Sequence, residues 1–218
     1  MNLLTMGDTE VNNLLIVESE NDKFFIEALL THINLTIKVD KPICSINEYN
    51  CIGGIGKLKF KLEELKSRIL KGDEFKKIGI IFDADMVGID ERKKEILKIK
   101  NSIFNDIELS LDIFIMNLNG KGELETILKK IKSKPSPIAD CLSSWQDCLK
   151  EKKLTQKELD KFWIQIYQRY DCCTKQEKKQ AYKKCNNEIS LKEKSIYNFD
   201  TDIKELKELK VFLELFRN

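Results

Sequence analysis

The chain has 218 residues, of which 42% are apolar and 34% charged, with a formal net charge of +2. This length suits one domain with an appendage or two small domains. The near-neutral total neither demands nor excludes an anionic partner, because a local basic patch fits inside a balanced sum. No run of about 18 uncharged apolar residues occurs, which speaks against a membrane span, and the opening "MNLLTMGDTEVNN" lacks the basic and apolar regions of a secretory signal. Seven cysteines with no CxxC spacing and a single histidine, His32, speak against a zinc site. Reduced thiols in a cytoplasmic protein are the expectation.

In chain order, Asn13 to Glu18 reads as a buried strand, and Asn21 to Ile33 as a helix with Phe25, Ile26, Leu29 and Leu30 on one side. "LTIKVDKPICSI" (35–46) is β-branched but interrupted by Pro42, so one or two short strands fit. Leu58, Leu62, Leu65 and Ile69 repeat at i, i+4, i+7, i+11 and predict an amphipathic helix. Ile78 to Phe82 is a second apolar strand. A helix over 90–104 follows, with Ile96, Ile99 and Ile103 inward, then a strand over Leu111–Met116 and a short helix from Glu123 to Lys132.

Apolar strands that alternate with helices predict an α/β fold, with a mainly parallel sheet flanked by helices on both faces. "KSKPSP" (132–137) reads as a linker. It divides an α/β domain (1–131) from a helical C-terminal region (138–218). In that region "TQKE" and "TKQE" match the capping-box pattern with Thr155 and Thr174 as N-caps. The apolar stripe Ile203, Leu206, Leu209, Leu213 predicts a last helix packed back on the sheet. Trp145, Trp163, Tyr167 and Tyr170 read as core aromatics of this region, and its lysine runs as solvated faces or, less often, as phosphate contacts.

Ligands of a parallel sheet collect at the carboxyl ends of its strands. The first strand ends on Glu18, the central one on "DAD" (Asp83, Ala84, Asp85), and the last on "NLNGKGELE". If the chain stays extended through "DAD", Asp83 and Asp85 point the same way with Cα atoms about 6–7 Å apart. Two such carboxylates repel, and a divalent cation with a preference for hard oxygen ligands, Mg²⁺ or Mn²⁺, would relieve that cost. A single acid after a strand is more often a cap or a solvated turn residue. Three acids at strand ends favour a metal site. "GGIGK" (53–57) lacks the Walker A pattern, yet Gly54, Gly56 and Lys57 open a helix where backbone N–H groups suit an anion such as phosphate. A plain flexible connection fits the same residues.

"IVESENDKFF" and "IIFDAD" resemble the two signatures of Toprim domains. With "IFIMNLNGKGELETIL" and "LKELKVFLELF", the chain resembles an uncharacterised Toprim-like family related to the nucleases of the overcoming-lysogenization-defect type. The resemblance implies Mg²⁺- or Mn²⁺-dependent phosphodiester chemistry on nucleic acid. Glu18 would be a metal ligand or general acid/base, Asp83 and Asp85 metal ligands, Glu125 a further ligand and Asp22 the acid that closes the first signature. Ser19 stands where Toprim domains usually have glycine, which puts the detail of substrate binding in question.

Among Toprim activities, a topoisomerase needs a tyrosine on a large DNA gate, and the roughly 80 residues beyond the linker are too few. A bacterial-type primase usually brings a zinc domain. A compact nuclease is the reading left, and the resemblance sets it in defence against phage or mobile DNA, with a protein partner of that system. A non-catalytic module that binds a nucleotide, nucleic acid or a partner protein is the alternative.

Overall fold

The computed structural model describes residues 12–44, 54–107, 109–149 and 152–217. Four strands, β1 (Asn12–Val17), β2 (Lys38–Val39), β3 (Phe75–Asp83) and β4 (Leu111–Met116), form one sheet in the order β2-β1-β3-β4. Every pairing is parallel, with Val17 opposite Ile81 and Asp83 opposite Met116. The crossovers contain α1 (Glu20–His32), α2 (Gly54–Leu70) and α3 (Ile89–Ile103), and α4 (Leu124–Lys130) follows the last strand. The rest is helical: α5 (Pro137–Asp140), α6 (Leu142–Cys148), α7 (Gln156–Ile166), α8 (Lys175–Lys179), α9 (Ala181–Lys184), α10 (Asn187–Lys192) and α11 (Lys204–Glu214).

Alternation along the strands divides the core into two layers. Leu14, Ile16, Ile78, Ile80 and Phe82 meet Leu58, Leu62 and Leu65 of α2 and Ile96 and Ile103 of α3. Leu15, Val17, Ile81 and Met116 face the other way, onto α1, α4 and the C-terminal helices. Leu14, Leu15, Ile16 and Val17 are all fully buried. At about 1.5–3 kcal/mol per buried aliphatic side chain, this central strand needs both covers.

The C-terminal region supplies one of those covers. Trp163, Ile164, Tyr167, Leu191, Leu206, Leu209, Leu213 and Phe216 belong to the same apolar cluster as Val17 and Ile81. The "KSKPSP" stretch is tied down where the sequence suggests a loose linker. The Ser133 amide donates to the Ile196 carbonyl, the Lys134 amide to the Tyr167 hydroxyl, and Lys132 bonds Ser136. The chain changes character at this point, but the core runs through it.

Thr155 and Thr174 cap their helices in full capping boxes, as their sequences predict. Trp163 and Tyr167 are core, whereas Trp145 and Tyr170 are largely exposed, so only half of the aromatic set packs inward. The cysteines also depart from expectation. Cys173 and Cys185 are joined as a disulfide with Cα atoms 6.3 Å apart, because α8 and α9 fold the twelve-residue segment back on itself. Cys141, Cys148 and Cys172 are free thiols. Among the described residues no helix is long and apolar enough to cross a membrane.

Candidate functional site: an acid-lined crevice between β1 and β3

From β1 the chain crosses to β2 on one side of the sheet and then returns to β3 on the other. The crossovers on either side of the β1–β3 pair therefore diverge, which opens a crevice at the carboxyl ends of these strands. Glu18 leaves β1 at this point and Asp83 ends β3.

Alternation sends the two side chains to opposite sides of the sheet. Glu18 turns toward α2, where its carboxylate accepts a hydrogen bond from the Gly54 amide. The contact is close enough that a Cβ on Gly54 would lie 2.4 Å from Glu18 Oε1. The anion that Gly54 meets in this structure is thus a side chain of the protein itself. Gly56 and Lys57 follow in the first turn of α2, and Gly53 lies outside the described residues.

Asp83 turns toward α4, and its Oδ1 accepts from the Leu124 amide at 3.2 Å. Asp22, buried in the first turn of α1, accepts from the Ser19 amide (2.8 Å) and the Ser19 hydroxyl (2.7 Å). Ser19 is therefore the N-cap of α1, which gives this residue a structural role at the usual Toprim glycine position.

Asp85 does not continue the strand. Its φ is +49°, and its backbone pairs with Gly122 through two 2.9 Å hydrogen bonds. The expectation of an extended "DAD" with both carboxylates aimed alike therefore fails: β3 stops at Asp83 and the chain turns left-handed at Asp85. Pairing to Gly122 joins this turn to the loop after β4 and brings Glu123, Leu124 and Glu125 to the rim.

Two cations hold Asp85. Arg92 Nη2 lies 2.5 Å from Oδ2, and Lys157 Nζ lies 2.5 Å from Oδ1. Arg92 also donates through Nε to the Asp83 carbonyl and through Nη1 to Glu95. Lys157 comes from α7, in the C-terminal region, and reaches Glu123 at 3.4 Å as well; Lys161, one turn on, lies 3.8 Å from Glu123.

The electrostatics follow from this crowding. Burial raises the pKa of Asp83 well above the carboxylate range, and the charges of Asp22, Glu18, Glu125 and Asp85 push it further. Asp22 is pushed up to about 7, chiefly by burial and then by Glu18 and Glu125, against the Ser19 hydrogen bonds. Burial also raises Glu18, with help from Asp85 and against Arg92, Lys157 and the Gly54 amide. Glu123 rises through burial in spite of Lys157 and Lys161. For Lys157, burial works against the charge, but its hydrogen bond to Asp85 and the neighbouring acids hold the pKa above the usual lysine value.

Glu18, Asp22, Asp83, Asp85 and Glu125 thus act on one another, while Arg92 and Lys157 supply part of the missing positive charge. The carboxylate set is a hard, all-oxygen one of the type that suits Mg²⁺ or Mn²⁺. Among the described residues no three His, Cys, Asp or Glu side chains already converge on one ion position. His32 stands apart, paired with Asp200 at 2.8 Å.

A parallel α/β sheet with an acid-lined crevice at its switch point is the class that fold and site define. The chain belongs to the family described as "Protein of unknown function (DUF3226)", whose model matches residues 12–218. That description assigns no activity. No curated protein and no solved structure matches the chain.

Proposed function

We propose that this protein is a divalent-cation-dependent phosphodiesterase acting on nucleic acid, a nuclease of the Toprim type. The observation that supports this most is the mutual crowding of Glu18, Asp83, Asp85, Glu125 and Asp22 at a single switch-point crevice. Burying several carboxylates together is costly unless positive charge or protons accompany them, and Asp83 and Asp22 carry that cost in their raised pKa values.

Asp83, Asp85, Glu18 and Glu125 would hold the cation. When bound, Mg²⁺ or Mn²⁺ would polarise a phosphoryl oxygen and stabilise the charge that develops on the leaving oxygen. Glu18 is suited to move a proton, because its raised pKa brings it nearer to neutral pH and the Gly54 amide fixes its carboxyl. Asp22 and Ser19 lock the start of α1 beneath it. The Leu124 amide orients Asp83.

The test is cleavage of single-stranded DNA, duplex DNA and RNA by the full chain with Mg²⁺, Mn²⁺ or EDTA, with Asp83→Asn as the control. Cation-dependent cleavage that Asp83→Asn abolishes supports the reading. Absence of cleavage on all three substrates, together with no binding of Mn²⁺ by calorimetry, would leave the non-catalytic module as the better description. A setting in phage defence would be tested by plating phage on cells with and without the protein.

A further inference from the structure

Asp85 is held from two sides, and the two holders differ. The Arg92 side chain is 8% exposed and fixed by three hydrogen bonds, to Asp85, the Asp83 carbonyl and Glu95. Lys157 is 47% exposed and reaches in from the first turn of α7, outside the sheet region. Its contacts in the site are Asp85 at 2.5 Å and Glu123 at 3.4 Å, both acids. A lysine on a flexible four-carbon stem can swing into solvent at small cost. A buried, triply bonded arginine cannot do so without leaving polar groups unpaired. Lys157 is the removable member.

An ammonium and a divalent cation at the same carboxylate oxygen exclude each other, by space and by charge. We propose that Lys157 is an internal competitor of the divalent cation for Asp85, so that the helical C-terminal region sets the cation concentration at which the crevice loads. The proposal rests on the cation-dependent reading above. The ammonium occupies Oδ1 until a doubly charged ion displaces it. Once displaced, it stays tethered at the rim beside Lys161, with Glu123 as its remaining partner.

Titration calorimetry of the full chain with MnCl₂ tests this without any activity measurement. The proteins compared are the natural chain, Lys157→Met, Lys157→Gln, Lys157→Arg and Lys161→Met, with Asp83→Asn as the negative control. Removal of the competitor should tighten Mn²⁺ binding by about fivefold to tenfold in Lys157→Met and Lys157→Gln, as expected when one partly exposed ion pair no longer has to be broken. Lys157→Arg retains the charge and should bind as the natural chain does, and Lys161→Met should stay within about twofold, since Lys161 does not touch Asp85. Equal or weaker Mn²⁺ binding by both charge-free variants would overturn the proposal and leave the cation site itself intact. Loss of the folded state in both, seen by circular dichroism, would make Lys157 a structural staple and overturn it as well. Mn²⁺ binding by none of the proteins would remove the cation-dependent reading and the competition together.

Discussion

Gly54 and Glu18 stand in a relationship that leaves no room for a side chain: a Cβ on Gly54 would come within 2.4 Å of both Cγ and Oε1 of Glu18. The Gly54 amide also donates to that carboxylate. Two residues on, Gly56 would meet nothing within 4 Å if it gained a Cβ. The same substitution should therefore have opposite consequences at the two positions. Gly56→Ala should stabilise α2 by up to about 1 kcal/mol, the helix preference of alanine over glycine. Gly54→Ala should force the Glu18 side chain away, with Mn²⁺ affinity and any cleavage activity falling by about tenfold or more. Thermal melting and Mn²⁺ calorimetry on both variants check this. If Gly56→Ala instead weakens nucleic-acid binding while leaving the fold stable, the α2 N-terminus contacts phosphate directly.

Asp22 is 2% exposed and its pKa moves from an ordinary 3.8 up to about 7. Folding therefore favours its protonated form. The stabilising contribution is fully present below about pH 4, is lost as pH rises through about 7, and is constant above that. Asp83 acts in the same direction. Denaturant unfolding in EDTA should show that Asp22→Asn gains more stability relative to the natural chain at pH 8 than at pH 5. The asparagine Oδ1 can still accept from the Ser19 amide, so the cap survives. An unchanged pH slope in the variant would mean that Asp22 is ionised throughout.

Asp83→Asn removes the acid with the most like-charged neighbours, Asp22, Glu18, Glu125 and Asp85. Its carbonyl oxygen can keep the Leu124 amide bond. The cation-free protein should melt higher at pH 8 by roughly 2–4 °C, which corresponds to about 1 kcal/mol for a chain of this size, while cation binding and cleavage are lost. A lower melting temperature would show that the ionised Asp83 is an essential structural partner.

The strands, the helices of the sheet region and the rim acids are legible because each is carried by local pattern. Leu14 to Val17 form an unbroken apolar run, and Glu18 and Asp83 stand at the points where such runs stop. The cations of the site are another matter. Arg92 lies in "DERKKE", which reads as a solvated helix start, yet it heads the inward stripe Arg92, Ile96, Ile99, Ile103 at i, i+4, i+7, i+11. That periodicity was the available signal. Lys157 had none. It is one of 38 basic residues, 72 positions from Asp85, and only the packing of α7 on α4 brings it in. The turn at Asp85 was equally hidden, because its left-handed φ goes with pairing to Gly122, a contact outside its own segment.

The lysines of "KQEKKQAYKK" divide once their neighbours are known. Lys178 is committed, with its ammonium 3.3 Å from the Tyr170 carbonyl and over the Tyr170 ring. Lys179, Lys183 and Lys184 are exposed, and between them Tyr182 is 89% exposed. A bare aromatic ring among lysines suits a single strand better than a duplex, since the ring offers a stacking surface and the ammoniums track phosphates. The double change Lys179→Glu with Lys183→Glu should lower single-stranded DNA or RNA binding and flatten the log–log salt dependence by about two units or slightly less. Tyr182→Ala should weaken the same binding by about 1–3 kcal/mol without altering the salt slope. Filter-binding titrations at several salt concentrations separate the two effects. Neither change touches the acids of the crevice, so Mn²⁺ affinity should be the same in all three proteins. If binding and its salt slope stay as they are in the double variant, these lysines are a solvated helix face and the nucleic acid, where it binds, uses another surface.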